Sequence, residues 1–398
     1  MSAPLRFEAS RRGVRAALAL VVVGAAVAVY GLIADPARTW LSLLVDSFYV
    51  LSLGVAAVFF FATQRLTSAR WSRPIRRVPE AFMALLPVAA ILMIILWFGR
   101  HAIFPWAEPG GMPHHHGGGH AGRDTYLQPG FVAIRMATIL LIWAWFAVRI
   151  RRISLAQDRA KDASERALAE RRLNRHAAVF APIFAFTFSA AAYDWVISLE
   201  PDWFSTMFAV YAFAGAFVQG IAAVALTTAV LMRRGRFGEE VGREQLHDLG
   251  KMLFAFSTFW AYIWVCQYLL IWYGNIPEEV TYYLRRTNES WLLLFLLNLI
   301  INWIVPFFAL MKVRAKRSPR ALIAVSALVL VGHWLDLYIL VMPAKWAAPR
   351  FGLIELALAV GSAALIYLIA VRGLARAPLV PASEAVAAGD GASRGGES

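Results

Sequence analysis

His333 and Asp336 stand three residues apart, so on a helix they share one face. An imidazole beside a carboxyl group can accept or relay a proton near neutral pH. The bland alternative is that Asp336 only orients His333, or pairs with Arg135 to lock helix packing. Asp194, one helical turn before Ser198, is a second carboxyl group of the same kind. Arg135, Asp46 and Glu355 are candidate counter-ions or ligand contacts, although hydration near an interface would also explain Glu355. Tyr262 lies among Ser257, Thr258, Gln267, Tyr268 and Tyr273, which could glue helices together or line a water wire. Asn298 and Asn302, four apart and followed by Pro306, invite the same two readings. His247 and Asp248 are either a cytoplasmic proton entry or an ordinary helix start, and Glu80, just after Pro79, suits an N-terminal cap.

These residues matter because of what surrounds them. Of 398 residues, 60% are hydrophobic and 16% charged, with a mean hydropathy of +0.59. That excludes a soluble enzyme, a disordered chain and a disulfide-rich scaffold. Ten apolar runs are long enough to cross a bilayer. They fall near 14–33, 40–63, 79–99, 129–149, 176–198, 207–231, 252–273, 290–311, 320–342 and 352–372. The first is too long for a cleavable signal peptide. A charged group inside such a run costs about 3 kcal/mol or more unless paired or hydrated, so each is a functional hypothesis by default. At 1.5 Å per residue, Asp194 lies ~6 Å and Asp336 ~9 Å inside the outer ends of their runs.

Orientation follows from Lys and Arg. With the N-terminus inside, 31 of the 39 fall in inner segments, seven outside, and Arg135 within a run. By the positive-inside rule both termini face the cytoplasm. The net charge of +14 is then a topology signal, not a nucleic-acid footprint. The expected architecture is all-α and polytopic, with a cytoplasmic N-terminus (1–13), a ten-helix membrane domain (14–375) and a disordered cytoplasmic tail (376–398). An outer loop, 100–128, is His-rich; a charged inner loop, 150–175, has the composition of a solvated helix extending a span. Asp194 and Asp336 each precede a proline, Pro201 and Pro343, by seven residues at the outer ends of runs five and nine. That echo fits two related four-helix bundles, runs 2–5 and 6–9, with runs 1 and 10 peripheral.

Redox centres find little support in the chain. The single cysteine, Cys266, cannot hold an iron–sulfur cluster, and only His333 lies deep enough for a haem ligand. The outer histidines His114, His115, His116 and His120 are weak metal candidates in a Gly-rich setting. No phosphate-loop, dinucleotide-binding or nucleophile-elbow motif occurs.

Seven stretches carry a family likeness. They are Ser47-Phe-Tyr-Val-Leu-Ser-Leu-Gly54, Arg77-Val-Pro-Glu-Ala81, Tyr193-Asp-Trp-Val-Ile-Ser-Leu-Glu-Pro-Asp-Trp-Phe-Ser205, Leu246-His-Asp-Leu-Gly-Lys251, Ala255-Phe-Ser-Thr-Phe-Trp-Ala-Tyr-Ile-Trp264, Trp272-Tyr-Gly-Asn-Ile-Pro-Glu-Glu279 and Gly332-His-Trp-Leu-Asp-Leu-Tyr338. Over about 40–345 the chain resembles the NrfD/polysulfide-reductase-like membrane proteins, and among them the F subunit (ActF) of bacterial alternative complex III, named as a quinone-binding subunit. The resemblance implies a non-redox subunit of a quinol:cytochrome c, or quinol:oxidase, oxidoreductase of the bacterial inner membrane. It implies partners: a related NrfD-like C subunit, an iron–sulfur protein, multihaem and monohaem cytochrome c subunits, and a terminal oxidase. Haem c and iron–sulfur clusters would sit in those partners, and menaquinone or ubiquinone would be the quinone. For this subunit it implies a proton pathway at Asp194, His333, Asp336, His247 and Asp248; Tyr262, from its polar run, is expected beside His247 and Asp248 on the inner approach. Two other readings remain: a quinone-binding anchor of a polysulfide-reductase-like enzyme, and a stand-alone secondary transporter.

Overall fold

The computed structural model describes residues 7–108, 121–160, 162–238 and 241–381. Among the described residues, ten helices are long and apolar enough to cross a membrane. They are α1 (Arg11–Ala34), α2 (Pro36–Leu66), α3 (Arg77–Phe98), α4 (Pro129–Gln157), α5 (Ala163–Leu199), α6 (Phe208–Arg233), α7 (Arg243–Gly274), α8 (Glu289–Leu310), α9 (Pro319–Ala344) and α10 (Leu353–Ala375). No β-strand occurs among the described residues. The chain is an all-α, multi-pass membrane protein.

Local chemistry sets the helix starts. Pro36, Pro129 and Pro319 occupy first turns, where a missing N–H loses nothing. Ser10, Asp35, Asp162, Asn288 and Ser318 accept backbone N–H bonds as N-caps. The charged inner segment is not a loop for most of its length. α4 runs to Gln157, and α5 begins at Ala163 and stays helical through Trp195. At about 50 Å, that helix exceeds the ~30 Å hydrocarbon core, so its charged first turns project beyond it.

Helices α2–α5 pack as one four-helix bundle and α6–α9 as another. α1 and α10 pair with each other at the edge. α2 and α6 form the seam between bundles: 83% of each apolar window is buried, against 17% for α1. Small residues allow that approach, with Gly220 set against Ala56. The seam is fixed by polar bonds as well. Ser52 Oγ donates to Gln219 Oε1 (2.8 Å), and Gln219 Nε2 donates to the Tyr49 carbonyl (3.0 Å). Large apolar side chains such as Ile33, Phe98 and Phe186 face outward, as lipid contact requires.

Glu80 is not the simple cap its position suggests. It is buried, and accepts from Arg77 and from Ser154 Oγ on α4. The reason is the inner-face cluster, in which Arg77 also reaches Asp158. The tail beyond residue 381 and the histidines His114, His115, His116 and His120 lie outside the described residues.

Candidate functional site

The last helix of each bundle buries one aspartate near its outer end, and both then tighten into a 3-10 turn, Ile197–Leu199 and Met342–Ala344. The two aspartates differ in their partners. Asp194 is fully buried and held by Arg135 from α4, whose Nε and Nη2 donate to its two carboxylate oxygens at 2.9 and 2.8 Å. Arg135 is in turn stacked over Tyr126, 3.7 Å from ring centroid. A bidentate guanidinium–carboxylate fork is the strongest form of such a pair. Arg135 is therefore the counter-ion of Asp194, not of Asp336.

Asp336 has no cation bonded to it among the described residues. Its Oδ1 accepts from the Tyr211 hydroxyl on α6 and from Asn298 Nδ2 on α8 (2.7 Å). Its Oδ2 faces His333 Nδ1 at 3.7 Å, and His333 Nε2 is buried without a partner. Asn302 Nδ2 donates to the Asn298 side-chain oxygen (2.7 Å), extending the chain of polar groups toward the inner side of α8. A π-helical turn, Ile300–Ile304, contains Asn302 and lies between Asn298 and Pro306. Two glycines clear the space. A Cβ on Gly215 would stand 2.6 Å from His333 Cε1, and one on Gly332 2.6 Å from Asn302 Oδ1.

Asp46 and Tyr49 face a large cavity on the far side of Trp334. It measures about 530 Å³ and lies among α2, α6, α9 and α10. Trp334 Nε1 donates to Asp46 Oδ1 (2.8 Å), while Asp46 Oδ2 is buried without a partner. Tyr49 lies between the cavity and the Asp336 cluster, its ring 6.1 Å from that of His333. Nearly all the remaining lining is apolar, including Leu330, Phe351 and Leu356. Glu355 is not part of it: Arg38 Nε and Nη2 hold it in a fork at 2.6 Å each.

Other expected positions are not brought together. Tyr262 is 62% exposed on the outer surface of α7, away from the Asp336 cluster. Asp248 pairs with Lys251 (2.6 Å) and His247 faces Glu244 (3.9 Å) in the first turns of α7. Twelve residues, about 18 Å of helix, separate Asp248 from Trp260, whose ring lies 6.1 Å from Tyr211. Gln267 binds Ser205 Oγ (3.1 Å), which is the helix-gluing reading for that position. Among the described residues, no group of three or more His, Cys, Asp or Glu could hold a metal ion.

Tyr211 and Gly215 were not singled out by sequence reasoning, because a tyrosine and a glycine within an apolar run are commonplace. Arg286, in the sequence only one of the seven outer positive charges, is a further case. It is buried, donating to Glu200 Oε1 (2.7 Å) and to the carbonyls of Ile339 (3.1 Å) and Leu340 (2.8 Å). Burial opposes its charge, but Tyr282 and Glu200 outweigh that and hold its pKa above the ordinary guanidinium value.

No protein-family model matches this chain, and no curated protein matches it.

Proposed function

We propose that this chain is the non-redox membrane subunit of a quinol-oxidising respiratory assembly of the alternative complex III type, and that its Asp336 cluster carries protons. The observation behind this reading is the contrast between the two buried aspartates. Asp194 is neutralised by a bidentate arginine, whereas Asp336 meets hydroxyl, amide and imidazole groups and, among the described residues, no bonded cation. A carboxyl group among such partners can gain or lose a proton without breaking an ion pair, and His333 is the adjacent acceptor. Quinol oxidation releases two electrons and two protons. In this assembly the electrons pass to haem and iron–sulfur centres of partner subunits, and this chain handles protons. The resemblance supports the partners described above and a bacterial inner-membrane location. The test is Asp336→Asn in the reconstituted complex, with Asp194→Asn beside it. Asp336→Asn is expected to lower proton release and quinol oxidation together, by ~10²-fold or more if the transfer limits turnover. Unchanged rate and proton stoichiometry in Asp336→Asn would overturn the proposal.

The cavity at Asp46 favours a second role, quinone binding within this chain. Its apolar walls suit a ring and isoprenoid tail, and Asp46 Oδ2 offers a free acceptor for a quinol hydroxyl. A photoreactive quinone analogue is expected to label peptides containing Asp46, Tyr49 or Trp334. Labelling confined to partner subunits would remove this role.

A further inference from the structure

The arginine-rich face carries a second built site, remote from both aspartates. At the inner end of α2, the segment leading to α3 and the second turn of α5 enclose a recess of about 40 Å³. Arg65, Arg73, Arg76 and Glu170 line it, together with Phe60 and Phe61. Three guanidinium groups thus face one carboxylate. That carboxylate is already engaged, accepting from Arg65 Nη1 and from Gln157 Nε2 (2.9 Å). Arg76 Nη2 is turned to Asp158 (3.3 Å), and Arg73 Nη2 stands 3.9 Å from Glu170.

After these bonds two donors remain buried without a hydrogen-bond acceptor, Arg65 Nη2 and Arg76 Nε, the latter 3.9 Å from Glu80 Oε1. Their side chains are 9% and 5% exposed. A buried guanidinium N–H is rarely left unpaired, so the recess is short of an acceptor. Burial, with like charge from Arg77 and Arg65 working against Glu80, brings the Arg76 pKa down to about 10.

We propose that this recess binds the phosphate group of an anionic phospholipid. Phosphate oxygens match the guanidinium donors in number and geometry. The site lies where the positive-inside rule places the cytoplasmic headgroup layer, and basic pockets between helices on that side suit anionic headgroups. Free phosphate shares the recognition chemistry, and the titration below separates the two.

Lipid titration of the purified full-length chain, read by native mass spectrometry, tests this. Phosphatidylglycerol or cardiolipin is expected to be retained in preference to phosphatidylcholine. Arg73→Gln, at a side chain 41% exposed, should leave the melting temperature unchanged and weaken anionic-lipid binding about five-fold, and Arg73→Glu should weaken it further. Arg314→Gln, at an exposed arginine on the same face, should change nothing. Equal retention of anionic and neutral lipid, or equal loss in Arg314→Gln, would overturn the proposal. So would inorganic phosphate that displaces the lipid at equal total phosphate, since the anion would then be the ligand and not the lipid.

Discussion

Asp194 and Asp336 show how far residue type fails to determine role. Both are buried aspartates near the outer end of a last helix, and their partners separate them. Removing the cation from Asp194 leaves a buried carboxylate uncompensated, which destabilises by about 3–5 kcal/mol. Arg135→Gln is therefore expected to lower the melting temperature in detergent sharply, and adding Asp194→Asn should recover much of the loss. Asp336→Asn keeps an oxygen for Tyr211 and Asn298, so its effect on stability should be nearer 1 kcal/mol. Equal destabilisation by Arg135→Gln and Asp336→Asn would contradict the division of roles. The aspartates themselves are legible in the sequence, because a charge in an apolar run is conspicuous. Their partners are not. Arg135 and Asp194 are 59 residues apart, Tyr211 and Asp336 125, and no single-helix periodicity encodes which faces meet.

At the scale of elements, apolar length and lysine and arginine placement carried the reading. All ten expected runs are helices, most of them longer at one or both ends than the apolar stretch alone. Charged and polar turns continue a helix once it is started, as in α4 and α5, and hydropathy does not register them. The Asp–Pro echo covers a buried aspartate followed by a 3-10 turn in each bundle, but the turns differ in register: Ile197–Leu199 ends before Pro201, while Met342–Ala344 contains Pro343. The π-turn of α8, Ile300–Ile304, has no signature in the hydropathy pattern. The edge pair α1 and α10 rests on a different device. Gly24 and Gly361 meet backbone to backbone, with a Cβ on Gly24 falling 3.1 Å from Gly361 Cα. Gly24→Leu is expected to part α1 from α10 and leave the two bundles folded. Limited proteolysis should then cut near the N-terminal helix sooner, with the melting of the remainder unchanged; coincident loss of both would show that α1 is integral to the core.

For the whole molecule, the question is what keeps two bundles in one register. Along the membrane, the seam of α2 against α6 relies on small residues and the Ser52–Gln219–Tyr49 bonds. At the outer face the tie is Arg286, from the short helix Pro277–Arg286. It joins Glu200, at the end of the first bundle, to the last carbonyls of α9 in the second. The Asp336 cluster lies just beneath, drawing groups from α6, α8 and α9, so a shift of the α9 end moves Asp336 against Tyr211 and Asn298. Arg286→Met removes the guanidinium while keeping much of the stem. It leaves two carbonyls unpaired and Glu200 with Arg285 alone, a loss of about 3 kcal/mol or more. Hydrogen exchange should quicken first at Met342–Ala344 and at Ile197–Leu199, the two 3-10 turns on either side of the tie. Glu200→Gln should speed the first-bundle turn while the α9 carbonyls stay bound. Exchange unaltered at both turns in Arg286→Met would mean that the α2–α6 seam alone sets the register, and that Arg286 is buried without fastening the bundles.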